Sequence, residues 1–555
     1  MRLTDLAATA ALFTAVPLAG GCDRPASAAD LIVYGRVWTG DSTRPWAEAV
    51  AIRGDTIAAV GDSAEIAAMA GPETQVLQNG DGLVAPGFND GHAHFLSGGF
   101  QLASVNLRDA ATPEEFTRRI KEFAATLEPG EWILGGDWDH ELWPGTPLPE
   151  RSWIDSVTPN NPVFVNRLDG HMALANSLAL KLAGLTDRSP AIPGGTMVRD
   201  AAGHLTGLLK DNAQDPVGRV IPDASPARSD SALARALQWA NQHGITGVSA
   251  VSVSHSELAT MERAHDRGAL TVRITAYPML SGWQWVANYR KEHPGDQWLR
   301  VLGVKAFVDG SLGSTTALFY QPYTDAPNTS GLMVTPEDSL RQWIGAADSA
   351  GLQVAVHAIG DRANALLLDI YDSVAKVHGP RDRRFRVEHA QHLRPSDIPR
   401  FNQLGVIASM QPYHAIDDGR WAEHRIGPER IKTTYAFRSL LDAGAHLSFG
   451  SDWTVAPLDP LLGIYAAVTR RTIDGKNPGG WVPEQKITVE EALRAYTVEN
   501  AYSVFAEKSR GQLRPGMLAD LVLVDRDLTK VPPETLDSAK VRTTIVGGRV
   551  VYQAP

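Results

Sequence analysis

Short stretches of alternating apolar and polar residues occupy both ends of the chain. Near the start they are Leu31-Ile32-Val33-Tyr34, Ala49-Val50-Ala51-Ile52 and Thr56-Ile57-Ala58-Ala59-Val60, parted by turns such as Gly54-Asp55. Near the end, Asp520–Val524 and Val541–Val551, the latter broken by Gly547-Gly548, repeat the style. Alternation bounded by Gly/Asp turns predicts antiparallel hairpins. Residues 30–80 and 511–555 are therefore expected to form one small composite β-sandwich domain. Between them lie eight apolar, β-branched runs, each leading into Gly, Asp or His: Leu83–Phe88, Thr246–Val251, Val272–Tyr277, Gly303–Val308, Gln353–Ala358, Phe385–Ala390, Val406–Gln411 and His446–Gly450. Helical stretches such as Ser231–His243 and Asp338–Ala350 separate several of them. Strands alternating with helices predict an α/β fold with a parallel sheet, and eight units predict a closed (β/α)8 TIM-like barrel over 81–510. Far more chain lies between the first and second strands than one crossover needs, so about 100–225 is expected to be an inserted subdomain. That insertion is rich in Trp, with Trp132, Trp138, Trp143 and Trp153.

Composition narrows the class. The 555 residues are 43% hydrophobic and 21% charged, as in a folded globular protein. The net charge of −11 argues against a nucleic-acid partner, which would require a basic face. The single cysteine, Cys22, excludes internal disulfides and cysteine-rich zinc modules. At the N-terminus, Arg2 precedes an apolar stretch from Leu6 to Leu18 and then Ala19-Gly20-Gly21-Cys22. A charged start, a short apolar core and small residues describe an export signal over 1–29. The small residues before Cys22 are similar to a bacterial lipoprotein signal, in which that cysteine is acylated. Ala26-Ser27-Ala28 offers the rival cut. Either way the expectation is export from a bacterial cytoplasm, with the protein periplasmic or held at the membrane only by a lipid anchor.

The candidate chemistry sits at the ends of the expected strands. His92 and His94, two apart in extended chain, point the same way. His357 ends the fifth strand, His389 the sixth, and Asp452 follows the eighth. Barrel sites lie at the C-terminal ends of strands, and four imidazoles with one carboxylate there predict a metal site. Lys305 lies within the apolar fourth strand, where a buried ammonium is costly. It either pairs with an acid such as Asp309 or is converted to an anion.

Six motifs in order carry a family resemblance: Gly87–His94, Val304–Ser314, His357–Asp361, Glu388–Gln391, Gly450–Asp452 and Gly511–Asp520. Together they resemble the amidohydrolase superfamily of metal-dependent hydrolases, most closely the branch containing N-substituted formamide deformylase, from about residue 30 to the end. The resemblance implies two divalent metals. His92 and His94 would hold the first with Asp452, His357 and His389 would hold the second, and N-carboxylated Lys305 would bridge them. Zinc is the first expectation, with iron, manganese or nickel also suited to these ligands. Asp452 would act as the base, and His414, after the seventh strand, would steady an oxyanion. His171, Trp138 and Asp309 are weaker candidates for binding substrate, and Asp90, Ser311 and Asp361 are expected to be structural. The implied reaction is cleavage of an amide, N-acyl or N-formyl bond of a small organic compound. Opening of a cyclic amide, carbamate or ester is the alternative enzyme reading, and a non-catalytic binding or regulatory lipoprotein is the other class. A homo-oligomer is compatible with all three.

Overall fold

A computed structural model describes residues 28–555; the acylation expected at Cys22 lies outside the described residues. The two chain ends do come together. Seven strands form one sheet in the order Arg549–Gln553, Val541–Val546, Leu521–Val524, Gln75–Pro86, Leu31–Trp38, Trp46–Arg53 and Thr56–Gly61. The central seam pairs Leu521 with Pro86 and Leu523 with Val84, antiparallel. Leu31, Val33, Ile52 and Val84 share a buried cluster with Leu521, Leu523 and Ile545. The expected sandwich is thus a single hydrogen-bonded sheet. Its first strand also pairs parallel to Gln75–Pro86, which a chain of hairpins would not give.

Leu83–Phe88 needs a correction. Leu83 to Pro86 belongs to this terminal sheet, and the strand that carries the first histidine is Phe88–Ala93. Gly87 sits between the two, where a Cβ would lie 2.2 Å from the Thr246 side chain.

The other seven runs are strands close to where the apolar pattern puts them, but they do not close into one ladder. Phe88–Ala93, Ile245–Val253, Arg273–Pro278 and the short Leu299–Val301 form a four-stranded parallel sheet. Gly303–Phe307, Gln353–Ala358, Arg386–His389, Ile407–Met410 and Leu447–Phe449 form a five-stranded one. Isolated parallel bridges join Met279 to Lys305 and Ala93 to Trp453. One ladder ends at Pro278, which has no N–H to donate. At the other seam the last strand is only three residues long.

The stretch after the first site strand builds a fourth sheet that the sequence pattern did not reveal. Its six strands run in the order Gly195–Arg199, Leu205–Asp211, Met172–Ala175, Val163–Arg167, Ile133–Trp138 and Val105–Asn106. Trp138 stacks 6.0 Å from Trp143 inside this layer's own core and donates Nε1–H to the Val165 carbonyl at 2.9 Å. It is fully buried there and does not line the cavity over the candidate ligands, contrary to the expectation that it touches substrate.

Candidate metal centre

The first histidine is oriented from behind by a charged relay. Nδ1 of His92 lies 2.5 Å from Oε2 of Glu388. Glu388 in turn accepts from Arg386 Nε at 2.7 Å and from Ser409 Oγ at 2.7 Å, all of them buried. Arg386 also donates to the Gly91 carbonyl at 2.5 Å, tying the relay to the strand it serves. Burial alone would raise the Glu388 carboxyl, but Arg386 and His92 outweigh it and hold it well below the usual range. An ionised Glu388 fixes the proton of His92 on Nδ1 and leaves Nε2 with its lone pair turned to the site. Carboxylate–histidine pairs of this kind are a recurring support for metal ligands.

Strained backbone brings the other groups to the same place. His389 and Ala390 have φ of 75° and 44°, and Asp452 has 59°, all in the left-handed region that side chains avoid. His389 Nδ1 lies 2.8 Å from Gln411 Oε1, an acceptor, so Nε2 is again the free nitrogen. Asp452 N donates to the His92 carbonyl at 2.7 Å. Its Oδ1 stands 3.3 Å from Nε2 of both His92 and His94. Ligand atoms of His92, His389 and Asp452 all fall within 4.8 Å of one another. Asp90 accepts from the backbone N–H groups of His92 and Ser451, each at 3.0 Å, and so clamps the two strand ends together.

His357 stands beside this group. Its ring is 4.5 Å from that of His389, and its Nε2 is 3.0 Å from the Gly310 carbonyl, leaving Nδ1. Lys305 Nζ is fully buried without a hydrogen-bond partner, over the Phe307 ring at 4.3 Å. The pairing of Lys305 with Asp309 does not form. Asp309 instead accepts backbone N–H from Leu318 at 2.8 Å, Ile359 at 3.0 Å and Gly360 at 2.8 Å. It braces loops behind His357 and does not line the cavity, so its expected contact with substrate is also wrong.

Burial sets the protonation states. It drives the imidazoles of His92, His357 and His389 down, to the neutral form that a metal requires. It would raise the Asp452 carboxyl, but His92, His94 and His389 outweigh it and keep the group ionised. It brings the Lys305 amine down to about 8.

A cavity of about 190 Å3 opens over these groups. His171 lines it from the inserted layer, its Nδ1 2.7 Å from Asp211 Oδ1. Burial lowers that imidazole, but the bond to Asp211 outweighs it and leaves the group raised. His414 lines the cavity too, with a buried, unpartnered Nε2 and a ring stacked 6.3 Å from that of His389. Arg167 closes the roof between Asp139 and Asp169, at 2.9 Å and 2.7 Å. As expected, Asp361 stays structural, accepting from Tyr320 N at 2.9 Å. Sequence reasoning missed Glu388, Arg386, Gln411 and Arg167. The first two had a signal: Arg386 and Glu388, two apart in a strand, face the same side and form an ion pair beneath the site.

The donor set suits a cation. His92 Nε2 and Asp452 Oδ1 are buried and make no hydrogen bond, a costly state that coordination of a metal would relieve. Neutral imidazoles with a carboxylate are the ligands of zinc and its divalent neighbours.

Comparison with known proteins agrees. The chain matches the sequence pattern described as "Amidohydrolase family" over residues 79–552. It is 40% identical over 540 residues to "Protein LONG AFTER FAR-RED 3" of Arabidopsis thaliana, covering 94% of this chain and 92% of that one. It is 27% identical over 540 residues to "N-substituted formamide deformylase" of Arthrobacter pascens, covering 94% and 98%. Among solved structures, an uncharacterized metal-dependent hydrolase from Pyrococcus horikoshii OT3 superposes with a TM-score of 0.73 at 28% identity, covering 91% of this chain and 99% of that one.

Proposed function

Since the chain belongs to the amidohydrolase family, we propose that it is a metal-dependent hydrolase cleaving a C–N bond, amide, N-acyl or N-formyl, in a small organic substrate. The observation that carries this reading is the buried group of His92, His389 and Asp452 with its lone pairs turned inward. We assign His92, His94 and Asp452 to one metal and His357 and His389 to a second, with zinc the first candidate for both. Lys305 would supply both with an anionic ligand once converted to a carbamate, its neutral amine attacking carbon dioxide to form an N–C bond and losing a proton to solvent. The buried, unpartnered Nζ supports this, since a carbamate anion removes the cost of burying an ammonium.

When bound, a divalent metal polarises the scissile carbonyl and lowers the pKa of water. The chain's own residues do the rest. Asp452 takes a proton from the attacking water and passes it to the leaving nitrogen. His414 Nε2 donates to the oxygen that gains charge. Arg167 and the Asp211-held His171 shape the roof of the cavity over these groups. The deformylase relative supports an N-formyl or other N-acyl substrate. Residues 30–80 and 511–555, with the end of the strand Gln75–Pro86, are proposed as one domain supporting the hydrolase body that follows up to 510. Export, through a signal cut before Cys22 or after Ala28, is proposed as well; the mass of the mature N-terminus tests it.

The test is turnover on a panel of N-substituted formamides, N-acyl amines, cyclic imides and esters, with and without chelator. Chelator-sensitive release of amine is the expected result. Turnover confined to imides or esters would move the assignment to those bonds, and no turnover on any would favour a binding protein.

A further inference from the structure

At the opposite end of the strands from His92, a second cavity of about 60 Å3 is lined by Arg273, Arg300 and Arg510. Arg273 opens its strand and Arg300 lies in the short strand beside it, so both sit far from the C-terminal ends that carry the metal site. We propose that this cavity binds a small inorganic oxyanion, of the phosphate or sulfate type.

The charge balance carries the inference. Arg273 is satisfied: its Nε and Nη2 meet Asp520 at 2.7 Å and 2.9 Å. Arg300 donates one Nη2–H to the Val504 carbonyl, a neutral acceptor. Arg510 is 6% exposed, and its Nε has no hydrogen-bond partner. Among the described residues, Asp520 is the one carboxylate paired with any of the three guanidiniums. Buried arginines are almost always paired, because an isolated buried charge is strongly unfavourable. Burial, followed by repulsion from Arg300 and Arg273, pulls Arg510 down to about 9, the mark of a cluster short of negative charge. The remaining acid on the cavity wall is already committed. Asp296 accepts from Trp298 N at 2.6 Å and Leu299 N at 3.0 Å, and its other oxygen lies 3.0 Å from His265 Nε2.

Size and access agree. A single water needs roughly 10–15 Å3, so the cavity has room for one tetrahedral oxyanion. It opens past Asp296 and Gln297, both exposed. Guanidinium forks match oxyanions bidentately, and Arg300 and Arg510 between them have several N–H groups to spare.

The test is thermal unfolding of the full, metal-loaded chain titrated with inorganic phosphate against chloride at constant ionic strength. The wild type should show a saturable rise in Tm of a few degrees, and Arg510→Met should lose it. Phosphate acting at the metal centre, or as a general stabilising salt, would persist in that variant. No saturable rise in the wild type, or an equal rise in Arg510→Met, overturns the proposal. Should the variant not fold, wild-type crystals soaked in selenate decide it. An anomalous peak among the three guanidiniums supports the site, and a cavity with none refutes it.

Discussion

At the scale of single residues, function rests on keeping a few charges ionised and a few imidazoles neutral where water is scarce. Asp452 is where the two demands meet: its carboxyl is held well below the usual range, and its Oδ1 faces the imidazoles of His92 and His94. Asp452→Asn keeps the shape but removes the proton acceptor, so kcat should fall by about 10²–10⁴ with an unchanged far-ultraviolet spectrum. Retention of more than about a tenth of kcat would remove Asp452 from that role. Glu388 acts one step further out. Glu388→Gln keeps a hydrogen-bonding oxygen but loses the charge that holds the His92 proton on Nδ1. Metal affinity should drop by about 10–100-fold, as it does when such outer partners are lost. Competition with a chromogenic chelator would measure it, and unchanged affinity would leave Glu388 a purely structural partner of Arg386.

At the scale of elements, the site is a meeting of strand ends whose backbones nearly touch. A Cβ on Gly450 would lie 2.5 Å from His92 N and 2.8 Å from Asp90 Oδ1. Gly450→Ala must therefore push the His92 strand away from Asp452. Displacements of about 1 Å can cost around 10²-fold in rate, so kcat/KM should fall steeply while the fold persists. A crystal structure of the variant with His92 undisplaced would contradict this.

Much of this layer was legible in the sequence. Strands of parallel sheets are buried on both faces, so they read as near-continuous apolar runs, and seven of the eight lie where those runs are. The first did not, because Leu83–Pro86 is as apolar as any core strand and nothing local says which sheet it joins. The inserted sheet was invisible for another reason. Its edge strand Gly195–Arg199 is half exposed, Val105–Asn106 is two residues long, and the buried apolar runs between them, such as Met172–Ala175, are too short to tell strand from helix. The ligand set was legible because its spacing follows the strands. Trp138 and Asp309 were misread because neither residue type tells a core partner from a cavity wall. Arg167 and Gln411 gave no signal because their role depends on loops meeting in space.

At the scale of the whole molecule, the chain ends lock the parallel sheets from below. Arg273 opens one parallel strand and is paired, fully buried, with Asp520, just before the strand Leu521–Val524 of the terminal sheet. Asp520 also accepts from Gly547 N at 2.9 Å, so one carboxylate ties three segments together. Asp520→Asn would leave Arg273 buried and uncompensated beside Arg300 and Arg510. Breaking a buried pair in this way costs about 3–5 kcal/mol, which denaturant unfolding should show as a clear fall in midpoint. A midpoint within error of the wild type would mean that the terminal sheet does not depend on that ion pair.

A metal centre at the polar end of the parallel sheets, with Lys305 as the proposed bridge, should be countable in metal ions. Elemental analysis of the mature protein, expressed with bicarbonate and reconstituted with zinc, tests it most directly. About two metals per chain are expected, falling when Lys305 is replaced by Ala. A chain that binds no metal after reconstitution would contradict it.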